Sequence, residues 1–467
     1  MLSTTILSSL QKIVGENRVL SSSEDLQHFG IDRTTNWSPN PSVIVLPGSV
    51  EEVQSIVWLA NEYSLALVPS GGRTGLSGGA VAKDGEIVVV MDRLNKLFDF
   101  NSTDRTVTVG AGMVTEALQK IAANEDLFYP VDFASSGSSQ IGGNIATNAG
   151  GINVIRYGMT REWVLGLKVV TGEGDILEFN HGLIKNNTGY DFRHLFIGSE
   201  GTLGIICEAT IQLTKPPEES VVLMLGVDNF HAILNVLKMF NSQINLMAFE
   251  FFSQFALDKV VEHQGHSAPF DTRTPFYALV EFETKSGQIL DTAIELFEYC
   301  VEQGWVIEGI VSQSESQAKK LWKLREDISE TLWHYQPYKN DISVRVSRMP
   351  DFLKEVDDLV EQYYLNFEVV WYGHIGDGNL HLNILKPNEL SSEEFTEKCK
   401  GVSDKIGRLV SKYQGSISAE HGVGLLKKDY LHYSKSETEI NLMRSVKNIF
   451  DPNGILNPGK LFNRAEN

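Results

Sequence analysis

Two histidines bracket a glycine-rich turn in Trp371-Tyr372-Gly373-His374-Ile375-Gly376-Asp377-Gly378-Asn379-Leu380-His381-Leu382-Asn383. Asp-Gly and Gly-Asn steps with apolar residues on both sides predict a hairpin, and closing it sets His374 across from His381. Neutral imidazoles so placed can share one metal ion. The alternative is a turn whose histidines cap loop carbonyls. Asn383 follows His381 by two residues and therefore shares its strand face. A second stretch, Gly415-Ser416-Ile417-Ser418-Ala419-Glu420-His421-Gly422-Val423-Gly424, is expected to be a strand that ends at its Glu-His-Gly. Glu420 is the candidate third metal ligand, which leaves a coordination position open for substrate. His421 is the candidate general base, because an imidazole titrates near physiological pH. A salt bridge at the strand end and a turn cap are the alternatives for this pair.

Cations entering such a pocket would bind a carboxylate. Arg325 and Ser329, four apart on a helical stretch, share a face, and Lys339 precedes a strand expected over 341–346. Most Arg and Lys on helices are merely solvated, so these three carry weight only in company.

The elements that must position these groups fall into two compositional regions. From residue 42 to 91 the pattern is strand, helix, strand, glycine-rich loop, strand. The loop is Pro69-Ser70-Gly71-Gly72-Arg73-Thr74-Gly75-Leu76-Ser77-Gly78-Gly79-Ala80. Glycine at that density lets backbone N–H groups converge on a phosphate. It is no dinucleotide fingerprint, since it leads into a strand and not a helix, and it lacks the Gly-Lys-Ser/Thr of a P-loop. A second run, Gly137-Ser138-Ser139-Gln140-Ile141-Gly142-Gly143-Asn144-Ile145-Ala146-Thr147-Asn148-Ala149-Gly150-Gly151, is too small and polar to build a core. It reads as backbone lying against a large planar ligand. A third, Gly198-Ser199-Glu200-Gly201-Thr202-Leu203-Gly204, enters a strand. Three such loops make a cofactor cradle the better explanation. After Lys215-Pro216-Pro217-Glu218-Glu219 glycine thins, and strands alternate with amphipathic helices, which places a second α+β domain there.

With 467 residues, 42% of them hydrophobic, the chain is expected to fold as two or three domains. A net charge of −20 argues against a nucleic-acid or anionic-membrane partner. Three widely spaced cysteines fit a reducing compartment. Neither a secretory signal nor an apolar run of membrane-spanning length is present in the sequence, so a cytoplasmic location is expected, with peripheral membrane association left open. Two proline turns near the end, Asp451-Pro452 and Asn457-Pro458, suggest a tail that packs on the cofactor domain.

The motifs Gly373-His374-Ile375-Gly376-Asp377-Gly378-Asn379-Leu380-His381, Ser418-Ala419-Glu420-His421-Gly422-Val423-Gly424 and Ile141-Gly142-Gly143-Asn144-Ile145-Ala146-Thr147-Asn148-Ala149-Gly150-Gly151 give the chain a likeness to a known family. Over residues 43–461 it resembles the flavin-dependent 2-hydroxy-acid dehydrogenases of the vanillyl-alcohol-oxidase type. The resemblance implies an α+β architecture: a two-part FAD-binding domain at 1–217, an α+β substrate (cap) domain carrying the metal site at 218–435, and a C-terminal return segment at 436–467. It implies FAD, held non-covalently because the loop 71–75 has no histidine. Gly71, Gly72, Arg73, Thr74 and Gly75 would lie at the pyrophosphate, and Ser138, Gly142, Gly143, Thr147 and Asn148 along the isoalloxazine. Gly204 and Asn457 would complete the cradle. His374, His381 and Glu420 match metal ligands, usually for zinc; His421 matches the base and Asn383 an active-site position. Arg325, Ser329 and Lys339 match residues that hold the far carboxylate of the substrate. Arg73 departs from the family pattern, which favours a small or amide residue there.

The implied reaction is oxidation of D-2-hydroxyglutarate to 2-oxoglutarate, with D-lactate, D-malate or glycolate as alternative substrates. The electrons would pass to an external acceptor such as an electron-transfer flavoprotein or a quinone, and a homodimer is an admissible assembly. From the residues alone, the rivals are a zinc hydrolase whose glycine loops are structural, and a flavin-binding scaffold without turnover.

Overall fold

The computed structural model describes residues 2–34, 36–284 and 287–463. The chain divides into two compact units: Met1–Gly151, Met159–Pro216 and Glu420–Asn467 form the first, and Ile152–Gly158 with Pro217–Ala419 form the second. Among the described residues no helix is long and apolar enough to cross a membrane.

The first unit contains two sheets. β1 (Val19–Leu20), β2 (Val43–Val45), β3 (Leu67–Ser70) and β4 (Ile87–Val90) form one, in the order β1-β2-β4-β3. β2, β4 and β3 run parallel. The Ile-Val-Val-Val of β4 is buried throughout, as expected of a central parallel strand covered on both faces. Helix Val50–Tyr63 makes the crossover between β2 and β3; Ser49 caps its first turn, and Val53, Ile56, Val57 and Ala60 face the core. The second sheet is antiparallel, in the order β5-β6-β9-β7-β8, from β5 (Leu97–Asn101), β6 (Thr106–Gly110), β7 (Val164–Thr171), β8 (Ile176–Phe179) and β9 (Gly204–Gln212).

The run 137–151 is more ordered than its composition suggests. Ile141–Thr147 forms a helix that sinks Ile141 and Ile145 into the core of this unit. The two isoleucines stand four apart, so even a glycine-rich segment has one apolar face. The chain returns to this unit from Glu420, not from residue 436 as the sequence division has it. Leu425 and Leu426 donate their backbone N–H groups to the carbonyl of Ser77, and Leu461 N–H reaches the carbonyl of Gly424, which ties residues 420–435 here. Farther on, Leu67 N–H donates to Ile455 O and Asn457 N–H to Leu67 O, so the tail pairs along the open edge of β3. Asp451 fixes the turn before it, accepting from the backbone of Ile455 and Leu456 and from Lys447 Nζ.

The second unit is built on one seven-stranded antiparallel sheet in the order β13-β10-β12-β11-β15-β16-β14. Its strands are β10 (Ser220–Val227), β11 (Leu246–Ser253), β12 (Phe276–Glu283), β13 (Val306–Val311), β14 (Tyr338–Ser343), β15 (Val369–Gly373) and β16 (Asn379–Ile384). Every residue of β11 is buried. Leu321, Trp322 and Leu324 of helix Glu315–Glu326, and Ile328 and Leu332 of helix Ile328–Leu332, pack with Ala248, Phe252, Val370 and Tyr372 of the sheet. The segment Ile152–Gly158 joins this unit, anchored by an Arg156–Glu283 ion pair at 2.7 Å.

Two expected elements differ. β14 starts at Tyr338, so Lys339 lies inside it and not ahead of it. Beyond Ser343 the ladder has no partner strand, because β16 begins at Asn379, the residue opposite Ser343. The stretch 415–420 forms no strand: a single bridge, Ser343 to Ser416, is all that pairs, and Ser416 and Ser418 close a local turn.

Candidate active site

The hairpin of β15 and β16 pairs Tyr372 with His381 and Val370 with Asn383. β14 adds Asp341 opposite His381 and Lys339 opposite Asn383. Opposed residues share a sheet face, so Lys339, Asp341, His381, Asn383 and Tyr372 all project on one side. β11 pairs Phe252 with Tyr372, which puts Glu250, two residues earlier, on that side as well. The His374 and His381 rings meet edge to face, with centroids 5.4 Å apart.

The structure brings Ser329, Lys339 and Asn383 close together. Lys339 Nζ is 3.5 Å from Ser329 Oγ and lies 4.6 Å over the Trp333 ring. Asn383 is 1% exposed, and neither its amide nitrogen nor its oxygen has a hydrogen-bond partner. Arg325 is also buried, its guanidinium 4.8 Å over the Tyr372 ring. Its Nη2 lies 2.7 Å from Glu250 Oε2, but the N–H does not point along that line, so Nε and Nη2 both keep unused donor capacity. Burying such groups unpaired is costly. A carboxylate arriving beside Arg325 would accept from Nε and Nη2.

Two carboxylates at this site escape sequence reasoning. Asp341, fully buried, accepts from Asn379 Nδ2 at 3.0 Å and from Ser418 Oγ at 3.3 Å, and its Oδ1 lies 3.8 Å from His381 Nδ1. Glu250 accepts from His374 Nδ1 at 2.8 Å. Asp341 lies in a mostly polar strand, Tyr338-Lys339-Asn340-Asp341-Ile342-Ser343, so its complete burial leaves no signal in the local sequence. Glu250 sits 124 positions from His374 and leaves no local signal.

In the first unit, Glu420 and His421 open the returning segment, with Glu420 Oε1 at 3.6 Å from His421 Nε2. The backbone just beyond is clamped: Val423 N–H and Gly424 N–H donate to the two oxygens of Glu200 at 2.8 and 2.7 Å. Burial pushes the Glu200 carboxyl above its ordinary range, while these two donors and then Lys427 and Lys460 oppose the shift.

The glycine loops of this unit fit a large polar ligand. A Cβ on Gly72 would lie 2.1 Å from Ser138 O, so the loops at 71–75 and 138–143 touch backbone to backbone. Gly143 faces open space, and Ser138 is exposed beside it. Ser70 Oγ, Gln140 Oε1, Ser199 Oγ and Asn457 Oδ1 are buried without hydrogen-bond partners, one from each of the three loops and one from the tail. Arg73 holds a left-handed backbone (φ 59°), donates to Gly71 O and stacks over Phe29. Thr74 is half-buried and Gly75 accepts from Arg33 N–H. Thr147 Oγ1 turns inward to Gly143 O, and Asn148 Oδ1 accepts from Arg161 N–H. Gly142 and Gly204 have packing reasons of their own: a Cβ would strike Ala111 in the first case and Phe196 in the second.

Residues 41–180 match the FAD binding domain family, and residues 216–461 match the C-terminal domain of FAD linked oxidases. The second match alone covers more than half of the chain. The chain belongs to the FAD-linked oxidases. This FAD-linked oxidase is 56% identical over 462 residues to a D-2-hydroxyglutarate dehydrogenase of Stutzerimonas stutzeri, covering 99% of this chain and 100% of that protein. It is 35% identical to a putative mitochondrial D-lactate dehydrogenase of Schizosaccharomyces pombe, covering 93% and 84%. Among solved structures, p-cresol methylhydroxylase with substrate bound superposes with a TM-score of 0.76 at 14% identity, covering 99% and 97%. That likeness bears on fold alone, and the α+β fold of vanillyl-alcohol-oxidase type expected from the sequence is borne out. The FAD-linked oxidase is an FAD-dependent oxidoreductase with a small-molecule substrate.

Proposed function

We infer that the protein oxidises D-2-hydroxyglutarate to 2-oxoglutarate with non-covalent FAD and a divalent metal, zinc in the first instance. The observation that carries the choice of a diacid is the buried group on the hairpin face. Arg325 and Asn383 there have unsatisfied polar atoms, and Lys339 and Ser329 stand beside them. A second carboxylate on the substrate would accept from Arg325 Nε and Nη2 with Lys339 and Ser329 beside it, whereas D-lactate has no second carboxylate.

The metal reading is supported by donors within each unit: Asp341 Oδ1 lies 3.8 Å from His381 Nδ1 in the second, and Glu420 Oε1 lies 3.6 Å from His421 Nε2 in the first. Ala419 N–H donates to Asp341 O at 3.4 Å, and Glu420 is the next residue. Nitrogen and oxygen donors in such a set suit zinc or a similar divalent ion. His374 joins as the other hairpin ligand. Its Nδ1 is taken by Glu250, and Nε2 is the atom with which it would bind.

When bound, FAD supplies the acceptor for a hydride from the α-carbon, and the metal supplies a Lewis acid that acidifies the α-hydroxyl. Arg325, Lys339 and Ser329 hold the far carboxylate, Asn383 orients the near end, and His421 takes the hydroxyl proton. Gly71, Gly72, Arg73, Thr74 and Gly75 take the pyrophosphate; Ser138, Gly142, Gly143, Thr147 and Asn148 line the ring system, with Gly204 and Asn457 completing the cradle. Electrons leave to an external carrier, an electron-transfer flavoprotein or a quinone. A cytoplasmic location agrees with Cys207, Cys300 and Cys399 all being free and buried.

The test is anaerobic flavin reduction in the purified holoenzyme across D-2-hydroxyglutarate, D-malate, D-lactate and glycolate, with and without chelator. Rapid bleaching by D-2-hydroxyglutarate that chelation abolishes is the expected result. Faster bleaching by D-lactate than by either diacid would shift the substrate to the monoacid, and a protein lacking a flavin spectrum would overturn the reading.

A further inference from the structure

Glu250 touches neither substrate nor metal in the roles assigned above, yet its two oxygens reach residues with different tasks. Oε1 lies 2.8 Å from His374 Nδ1 and Oε2 lies 2.7 Å from Arg325 Nη2, with the carboxylate itself 1% exposed. A carboxylate only accepts, so His374 must donate from Nδ1 and present its lone pair at Nε2. That is the tautomer a metal needs, and a carboxylate behind the ring raises its basicity and fixes its heading. On the other side Glu250 Oε2 forms an ion pair at 2.7 Å with the Arg325 guanidinium, whose central carbon lies 4.8 Å from the centroid of the Tyr372 ring. Arg325 thus points in one direction with Nε and Nη2 still able to donate.

We propose that Glu250 is the positioning residue of the site, fixing with one oxygen the tautomer of His374 and with the other the heading of Arg325. The inference rests on the metal and diacid reading given above. Only a carboxylate performs both tasks. A glutamine that turns its oxygen to His374 sets its NH2 against Arg325, and one that turns its NH2 to His374 demands the other tautomer. Aspartate is one methylene short, and an apolar residue leaves Arg325 buried without a counter-charge. One carboxylate therefore links metal affinity to diacid selectivity, two properties that would otherwise vary independently.

The experiment compares Glu250→Gln with His374→Ala, Arg325→Ala and the parent, all as flavin-loaded protein. Zinc alone is titrated into the metal-stripped enzymes, and KM and kcat are measured for D-2-hydroxyglutarate and D-lactate. In Glu250→Gln zinc affinity is expected to fall by roughly 10–100-fold, while KM for D-2-hydroxyglutarate rises well beyond any change for D-lactate. A role confined to folding would lower Tm and flavin content without separating the two substrates. If Glu250→Gln does not fold, the pair Glu250→Gln with Arg325→Met removes the buried unpaired cation, and zinc affinity should still fall. Parental zinc affinity together with parental selectivity in Glu250→Gln would overturn the inference. Parental zinc affinity in His374→Ala would strike instead at the metal reading beneath it, so the two failures are distinguishable.

Discussion

Lys339 stands directly opposite Asn383 in the β14–β16 ladder, two pairs along from Asp341 and His381 and on the same face. The strand pairing thus sets a cation and an unpartnered amide beside the histidine expected to hold the metal. Lys339 leans toward the helix side, 3.5 Å from Ser329 Oγ. Substituting Lys339→Met keeps an unbranched apolar side chain of similar length and removes the charge that lies over Trp333. A lost hydrogen bond to a charged group costs about 1.5–3 kcal/mol, so KM for D-2-hydroxyglutarate should rise by roughly 10- to 100-fold with D-lactate little affected. Steady-state kinetics on both substrates checks it; equal effects would take Lys339 out of the pocket.

His374→Ala and His381→Ala should each lose metal and turnover while keeping FAD. Both histidines belong to the second unit, whereas the glycine loops and the tail belong to the first. Metal analysis and the flavin absorbance of the purified variants give the two readings separately. Flavin loss in both variants would contradict the division of labour.

How much of this was legible in the sequence follows from how local each signal is. The hairpin, with its two histidines, was readable because Asp377-Gly378 and the flanking apolar runs are contiguous. The cradle loops were readable for the same reason, though the helix Ile141–Thr147 inside one of them was hidden by glycine density. Glu250 was not readable, because only strand order places β11 beside β15. Lys339 was misplaced relative to its strand because Ile342, Val344 and Val346 continue the alternation past the point where the partner strand begins. The return at Glu420 was missed because the residues that bind it, Ser77 and Glu200, lie more than 200 positions away.

Glu281 offers a pH-dependent test of the second unit. It is half-buried on β12, accepting from Ser220 Oγ at 2.7 Å and Trp322 Nε1 at 3.1 Å, and desolvation pushes its carboxyl above the ordinary 4.5 despite both donors. A raised carboxyl contributes stability that is fully present below its unfolded value and is lost as pH rises through the folded one. Glu281→Gln removes that titration, since the amide oxygen can still accept from Trp322 and the NH2 can donate to Ser220. Wild-type Tm should therefore fall relative to Glu281→Gln as pH is raised from 4 toward neutrality. A Tm difference that stays constant with pH would show that Glu281 does not titrate in that window.

Asn457 tests the tail. Its Nδ2 donates to Gly79 O at 2.9 Å and to Glu200 O at 2.7 Å, joining the first and third glycine loops, while its Oδ1 is buried without a partner. It holds a left-handed backbone (φ 41°), which asparagine tolerates better than most residues. Asn457→Ala leaves two part-buried carbonyls short of a donor, at about 1–3 kcal/mol, and removes the side-chain tie from the tail to both loops. The expected outcome is a lower Tm and a larger drop in FAD affinity than in zinc affinity, read by flavin fluorescence on dilution and by zinc titration. A variant that melts early yet binds FAD as tightly as the parent would limit Asn457 to a structural role. A variant that loses flavin is the expected result, because the unpaired Oδ1 is then the acceptor the cofactor fills.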